Sequence, residues 1–127
     1  MPKRSEFVEH VIETMRSFGA VTARTMFGGW GLYRDGVFFA LVFDDTLYLK
    51  ADAANVADFE ARGLEQFVFE SRKGGETITT SYRRAPEEAL ESPEEMARWA
   101  RSGYGAALRK KGAPRAKAKA RKPKPPG

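Results

Sequence analysis

The sequence predicts an α+β domain: one antiparallel sheet of five to six strands with helices mainly on one face, in the order α-β(3-4)-α-β(2)-α. Three observations carry this. Apolar residues recur at helical spacing near both ends of the body. Val37–Phe43 is an unbroken apolar run bounded by Asp-Gly and Asp-Asp, the signature of a buried strand between tight turns. Connections between the strand-like segments are short, which favours antiparallel neighbours over crossovers.

Ser5–Phe18 reads as an amphipathic helix. Ser5 stands at the cap position, and Glu6 and Glu9 suit the positive end. Phe7, Val8, Val11, Ile12, Met15 and Phe18 share a face. His10, the only histidine, falls among Glu6 and Glu13 and reads as a solvated side chain. Gly19 is placed to end the helix at C′. Val21–Met26 and Trp30–Arg34 read as strands, Asp35-Gly36 as a two-residue hairpin, Val37–Phe43 as the central strand, and Thr46–Lys50 as its return.

Asp52 is placed to cap a short helix over Ala53–Arg62. Gly63 and Leu64 complete its C-terminal end, with Leu64 reaching back to Phe59. Gln66–Glu70 and Thr77–Arg83 form a further hairpin. Pro86–Leu90 suggests a helical turn, and Ser92-Pro93-Glu94-Glu95 a helix start. That last helix places Met96, Trp99, Ala100, Tyr104 and Ala107 on one face. Gly103 and Gly105 leave two alternatives: very close packing there, or a break near Ser102.

Charge divides the chain. Nine of the 22 Lys and Arg lie in residues 109–127, which hold no acid, so the other 108 residues carry 13 bases against 17 acids. The expected organisation is a folded body over 1–108 and a disordered Lys/Ala/Pro tail over 109–127, which has no large apolar residue to bury. No signal peptide or membrane-length apolar run is present, so a cytoplasmic location is expected.

The motif residues resemble a known family. Arg24, Met26-Phe27-Gly28-Gly29, Gly31-Leu32-Tyr33, Gly36, Phe39-Ala40-Leu41, Leu47-Tyr48, Lys50 and Asp52 together are similar to the N-terminal domain of TfoX/Sxy proteins. The resemblance covers roughly Phe7–Leu108. It implies a fold like that of secretion chaperones, often dimeric, and a role in regulating competence for DNA uptake as a transcriptional coactivator. Full-length members of the family carry a second, helical domain; here a basic tail follows instead.

Candidate functional residues fall into two groups. Arg24, Met26, Phe27, Gly28, Gly29, Trp30, Gly31 and Tyr33 are candidates for contact with a partner or ligand. Their glycines suit either a bent strand connection or a backbone nest for an anion. Trp30, if exposed beside Tyr33, would anchor an interface. Arg109, Lys110, Lys111, Arg115, Lys117, Lys119, Arg121, Lys122 and Lys124 form a polycation suited to phosphate, with nothing to read bases. Its contacts predict a log-log salt slope of roughly −5 to −8. Arg24, Arg34, Arg72, Lys73, Arg83 and Arg84 could line one side of the sheet, but isolated charges on strands read more simply as solvent-facing residues.

No reaction is spelled out. There is no cysteine, no serine elbow, and one histidine; Asp44 and Asp45 are adjacent in a turn and diverge. No catalytic residue, metal ligand or cofactor is expected. The expected partners are a transcription factor or other protein, nonspecific nucleic acid through the tail, and a second copy of the chain; no membrane is involved. The alternative is a small-ligand-binding domain with a pocket beside Phe27–Trp30 and an incidental tail.

Overall fold

The computed structural model describes residues 6–26, 28–70, 75 and 77–110. Helix α1 (Glu6–Thr14) runs into a turn of 3₁₀ helix at Met15–Ser17. Strands β1 (Thr22–Met26), β2 (Gly29–Arg34), β3 (Val37–Phe43) and β4 (Thr46–Lys50) follow as a meander. Then come α2 (Val56–Glu60), β5 (Gln66–Glu70), β6 (Thr77–Arg84), α3 (Glu87–Glu91) and α4 (Pro93–Lys110). The six strands form one sheet, ordered β1-β2-β3-β4-β6-β5, and every pairing is antiparallel.

Both two-residue hairpins adopt positive φ at their centres: Asp35 and Gly36 at 52° and 77°, Asp44 and Asp45 at 53° and 54°. Aspartate tolerates this left-handed backbone better than most residues, which explains a turn with no glycine.

One face of the sheet carries α1 and α4. Val8, Val11, Met15, Phe18, Met96, Trp99 and Ala100 pack there on Leu32, Phe39, Val42, Leu47 and Leu49. Strand β3 serves both faces through a bulge. Leu32 pairs with Ala40 and Tyr33 with Phe38, so two residues of β3 oppose one step of β2. Val37, Phe39, Ala40 and Val42 therefore point into the helix-covered core, while Phe38, Leu41 and Phe43 point the other way. Both faces of this strand are covered, one by helices and the other by aromatic rings, which explains why it is apolar throughout.

Helix α4 is continuous over its 18 residues, with no break near Ser102. The close-packing alternative holds: a Cβ on Gly103 would lie 3.2 Å from the Leu49 Cβ and 3.4 Å from the Phe39 carbonyl oxygen. Its start matches expectation, since the Ser92 Oγ accepts from the Glu95 N–H at 3.3 Å. The end of α2 does too. Leu64 N–H donates to the Phe59 carbonyl and Gly63 N–H to that of Glu60, each at 3.0 Å, with Gly63 at φ 67°.

Three expectations are corrected and one is extended. Helix α2 is shorter than 53–62, because the Asp52 Oδ1 takes the N–H groups of Ala54 (3.0 Å) and Asn55 (3.3 Å) and holds that segment as turns. His10 is solvent-exposed as expected, and its Nε2 in addition lies 2.7 Å from the Leu90 carbonyl oxygen, tying α1 to α3. Gly19 has no positive φ; it leaves room for Arg34, whose guanidinium lies over Phe18 (4.6 Å) and Tyr104 (5.1 Å). Arg83 likewise turns inward, donating to the Leu64 carbonyl at 3.1 Å and pairing with Glu60. Ser5, Arg72 and Lys73 lie outside the described residues.

Candidate functional site

The motif residues divide between the two faces of the sheet. Met26 pairs with Gly29, so β1 and β2 form a hairpin, with Gly28 in its turn. Gly28 has φ 79°, which only glycine adopts freely. A Cβ on Gly29 would stand 2.2 Å from the Val42 carbonyl oxygen, so this position is closed to any side chain. The glycines thus serve a tight strand connection and a close backbone approach. Gly29, Trp30 and Gly31 are paired strand residues, whose N–H groups alternate in direction and do not converge as a nest would require.

Trp30 packs partly buried against the helix-covered core, on the opposite face from Tyr33. The two do not form a joint interface anchor. Arg24, Met26, Gly31 and Tyr33 do share a face, the one without helices. Gly31 is a gap in it: a Cβ there would meet the Met26 Sδ at 2.8 Å, Phe38 Cε1 at 3.1 Å and Tyr33 Cε1 at 3.3 Å. Three side chains lean over that bare backbone. Phe27 lies outside the described residues.

The helix-free face is aromatic. Leu41, Phe67 and Tyr82 are buried in a second cluster with Phe38, Phe43, Tyr48 and Phe69 around them, all from strands. Two rows of rings run through it. In one, Tyr33, Phe38 and Tyr82 follow each other at centroid distances of 5.3 and 5.4 Å. In the other, Phe67 touches Phe43 (5.4 Å), Tyr48 (4.7 Å) and Phe69 (5.7 Å).

Cations flank these rows unequally. The Arg24 guanidinium sits 5.7 Å from the Tyr33 centroid and the Lys50 Nζ 5.1 Å from that of Tyr82. Lys50 also donates to the Ser81 hydroxyl. Partial burial, and then Lys110 nearby, pull the Lys50 pKa down. Burial, then the charge at Tyr33, pushes the Tyr82 phenol well above the ordinary tyrosine value. Beside the second row, Arg84 is paired with Glu65 at 3.6 Å. There the Tyr48 phenol is raised by burial and then by Glu65.

Phe38, Tyr82 and Lys50 were not singled out from the sequence as site residues. The alternation of Tyr48 and Lys50 against Leu47 and Leu49 carries the signal for this face. The apolar continuity of β3 hid it.

The small-ligand alternative predicts a pocket beside Phe27–Trp30. The crevice there, lined by Met26, Gly29, Trp30, Leu41, Val42, Phe43 and Phe67, measures about 20 Å³. That is near the room one water needs, far below the ~300 Å³ of small-molecule sites. A second cleft of about 220 Å³ lies between α2 and α4, lined by Asp58, Arg62, Arg98, Trp99 and Ser102. Both its arginines are already paired, Arg62 with Glu88 and Arg98 with Glu95. Among the described residues no group of three or more His, Cys, Asp or Glu is arranged to hold a metal, and no helix is long and apolar enough to cross a membrane.

Of the basic residues assigned to the tail, Arg109 and Lys110 form the last turn of α4, so the folded body extends past residue 108. Arg109 is engaged: its Nε and Nη2 donate to the two Asp52 carboxylate oxygens at 2.6 and 3.0 Å. Lys111, Arg115, Lys117, Lys119, Arg121, Lys122 and Lys124 lie outside the described residues.

The fold is thus an α+β domain with one sheet face under helices, the other aromatic, and its motif glycines spent on strand geometry. The chain belongs to the TfoX N-terminal domain family, whose model matches residues 13–107. It is also similar to the DNA transformation protein TfoX1 of Aliivibrio fischeri (strain ATCC 700601 / ES114), 35% identical over 63 residues. That match spans 50% of this chain and 30% of the relative.

Proposed function

We propose that this chain is a non-catalytic regulatory protein of the TfoX N-terminal type. It acts in the cytoplasm as a competence-related transcriptional co-regulator, its body docking on a transcription factor or other protein. The tail holds it on nucleic acid without sequence preference. The observation that carries this reading is the family match, which spans the folded body almost end to end. The relative's printed name ties that protein to DNA transformation, in line with the reading. The 20 Å³ crevice at the glycine corner favours it over the ligand-binding alternative.

The test keeps the full chain. Changing Lys111, Arg115, Lys117, Lys119, Arg121, Lys122 and Lys124 to Gln leaves α4 and the Arg109–Asp52 pair in place. The native chain should retard duplex DNA at low salt with a log-log salt slope of roughly −6, for about seven phosphate contacts. The neutralised chain should not. Equal retardation by both removes the tail from the mechanism. Capture of a transcription factor by both chains after nuclease treatment supports the partner role of the body; its absence argues against it.

A further inference from the structure

We propose that the helix-free face of the sheet is a second nucleic-acid site, one that takes a short single-stranded segment. Its bases stack on Tyr33 and Phe38, which the buried Tyr82 backs, and its phosphates reach Arg24 and Lys50.

Three rings in one row, 5.3 and 5.4 Å apart, rise from β2, β3 and β6 on a face that no described helix covers; Tyr33 and Phe38 are half-buried and Tyr82 is buried behind them. Aromatics on an antiparallel sheet are suited to stacking two or three unpaired bases, because every base has a π-face. In a duplex those faces are already stacked, so the row selects single strands. Gly31 is part of the device: its missing side chain lets Tyr33 and Phe38 lie low, as a platform.

Charge identifies the occupant. Each end of the row carries a cation, Arg24 over Tyr33 and Lys50 over Tyr82. Among the described residues neither is ion-paired with a carboxylate, whereas Arg84 beside the second row is paired with Glu65. The site is thus the Tyr33–Tyr82 row alone. An anionic strand neutralises both cations. A second copy of the chain on this face would bury these cations against its own apolar rings, at a desolvation penalty.

The experiment measures anisotropy of labelled 12-nucleotide oligothymidylate, oligouridylate and a 12-base-pair duplex with the full chain in 0.3 M salt. That ionic strength suppresses phosphate-only binding. Single strands should bind at least tenfold more tightly than the duplex. Phe38→Ala should weaken single-strand binding by roughly five- to a hundredfold and leave duplex binding unchanged. Arg24→Ala combined with Lys50→Ala, at surface positions, should weaken single strands and reduce their salt slope by about 1.4. That double variant decides the matter if Phe38→Ala does not fold. Equal affinity for single strand and duplex overturns the proposal, as does unchanged single-strand binding in the folded variants. Sedimentation showing that Phe38→Ala dissolves a dimer while single-strand binding persists assigns the face to a second copy, and also overturns it. The tail-neutralised chain separates the two nucleic-acid readings: it should lose duplex binding at low salt and keep the single-strand preference at 0.3 M. Loss of that preference with the tail counts against the face.

Discussion

Asn55 is the residue on which three elements meet. It is 5% exposed, and its Nδ2 donates to the carbonyl oxygens of Lys50 (3.2 Å) and Ser102 (3.1 Å) and to the Ser102 hydroxyl (3.0 Å). Its Oδ1 accepts the Asp52 N–H at 2.7 Å. One carboxamide thus joins the end of β4, the start of α2 and the middle of α4. Asn55→Ala strands a buried donor and acceptors, and should destabilise the fold by about 2 kcal/mol in urea denaturation. Nothing in the sequence marks Asn55, because its main partner lies 47 residues away. Asp52, three residues earlier, was legible as a local acceptor of backbone N–H groups, though these belong to the turns ahead of α2 and not to the helix itself. Its ion pair with Arg109 was not. That pair, and above all the hydrogen bond from Arg109, holds the Asp52 carboxyl below its ordinary value. A carboxylate so depressed contributes stability that is fully present above the unfolded pKa, near 3.8, and is lost as pH falls through the folded value. Arg109→Gln should therefore be less stable than the native chain at pH 7, with the gap closing below about pH 4; denaturation midpoints across that range check it.

At the scale of elements, α4 shows how the same residue type can do opposite things. Gly103 is pressed against β3 and β4, whereas a Cβ on Gly105 would meet only the flexible end of Arg109, at 3.4 Å. Gly103→Val should destabilise by about 1–3 kcal/mol through overpacking. Gly105→Ala should stabilise by about 0.5–1 kcal/mol, the difference in helix propensity. Thermal melts of the two variants should move in opposite directions. Both glycines look equally awkward in the sequence, since only the position of the sheet distinguishes them. Strand β3 was legible as a strand from its apolar run, but its bulge was not. Seven apolar residues in succession carry no alternation to break, so the step at Phe39–Ala40 leaves no trace in the pattern.

For the molecule as a whole, the class of fold followed from periodicity and turn chemistry, both local properties. The candidate site did not, because its key neighbours come together through topology. Tyr82 reaches Phe38 only because β6 pairs with β4, more than thirty residues back in the chain. That pairing also sets the stability gradient. Strands β3 and β4 lie inside the sheet and between the two clusters, while β1 and β5 are its edges. Native-state hydrogen exchange should be slowest in β3 and β4 and fastest at the strand ends of β1 and β5. Uniform exchange across all six strands would contradict this layering.

The extra residue in β3 sets the parity of the sheet. If the step at Phe39–Ala40 were straightened with both residues kept and Leu41–Phe43 held in register, Phe38 would swing beneath the helices and Val37 would surface. The platform would lose its middle ring and the interior would be repacked by the same straightening, so neither surface can drift in register without remaking the other.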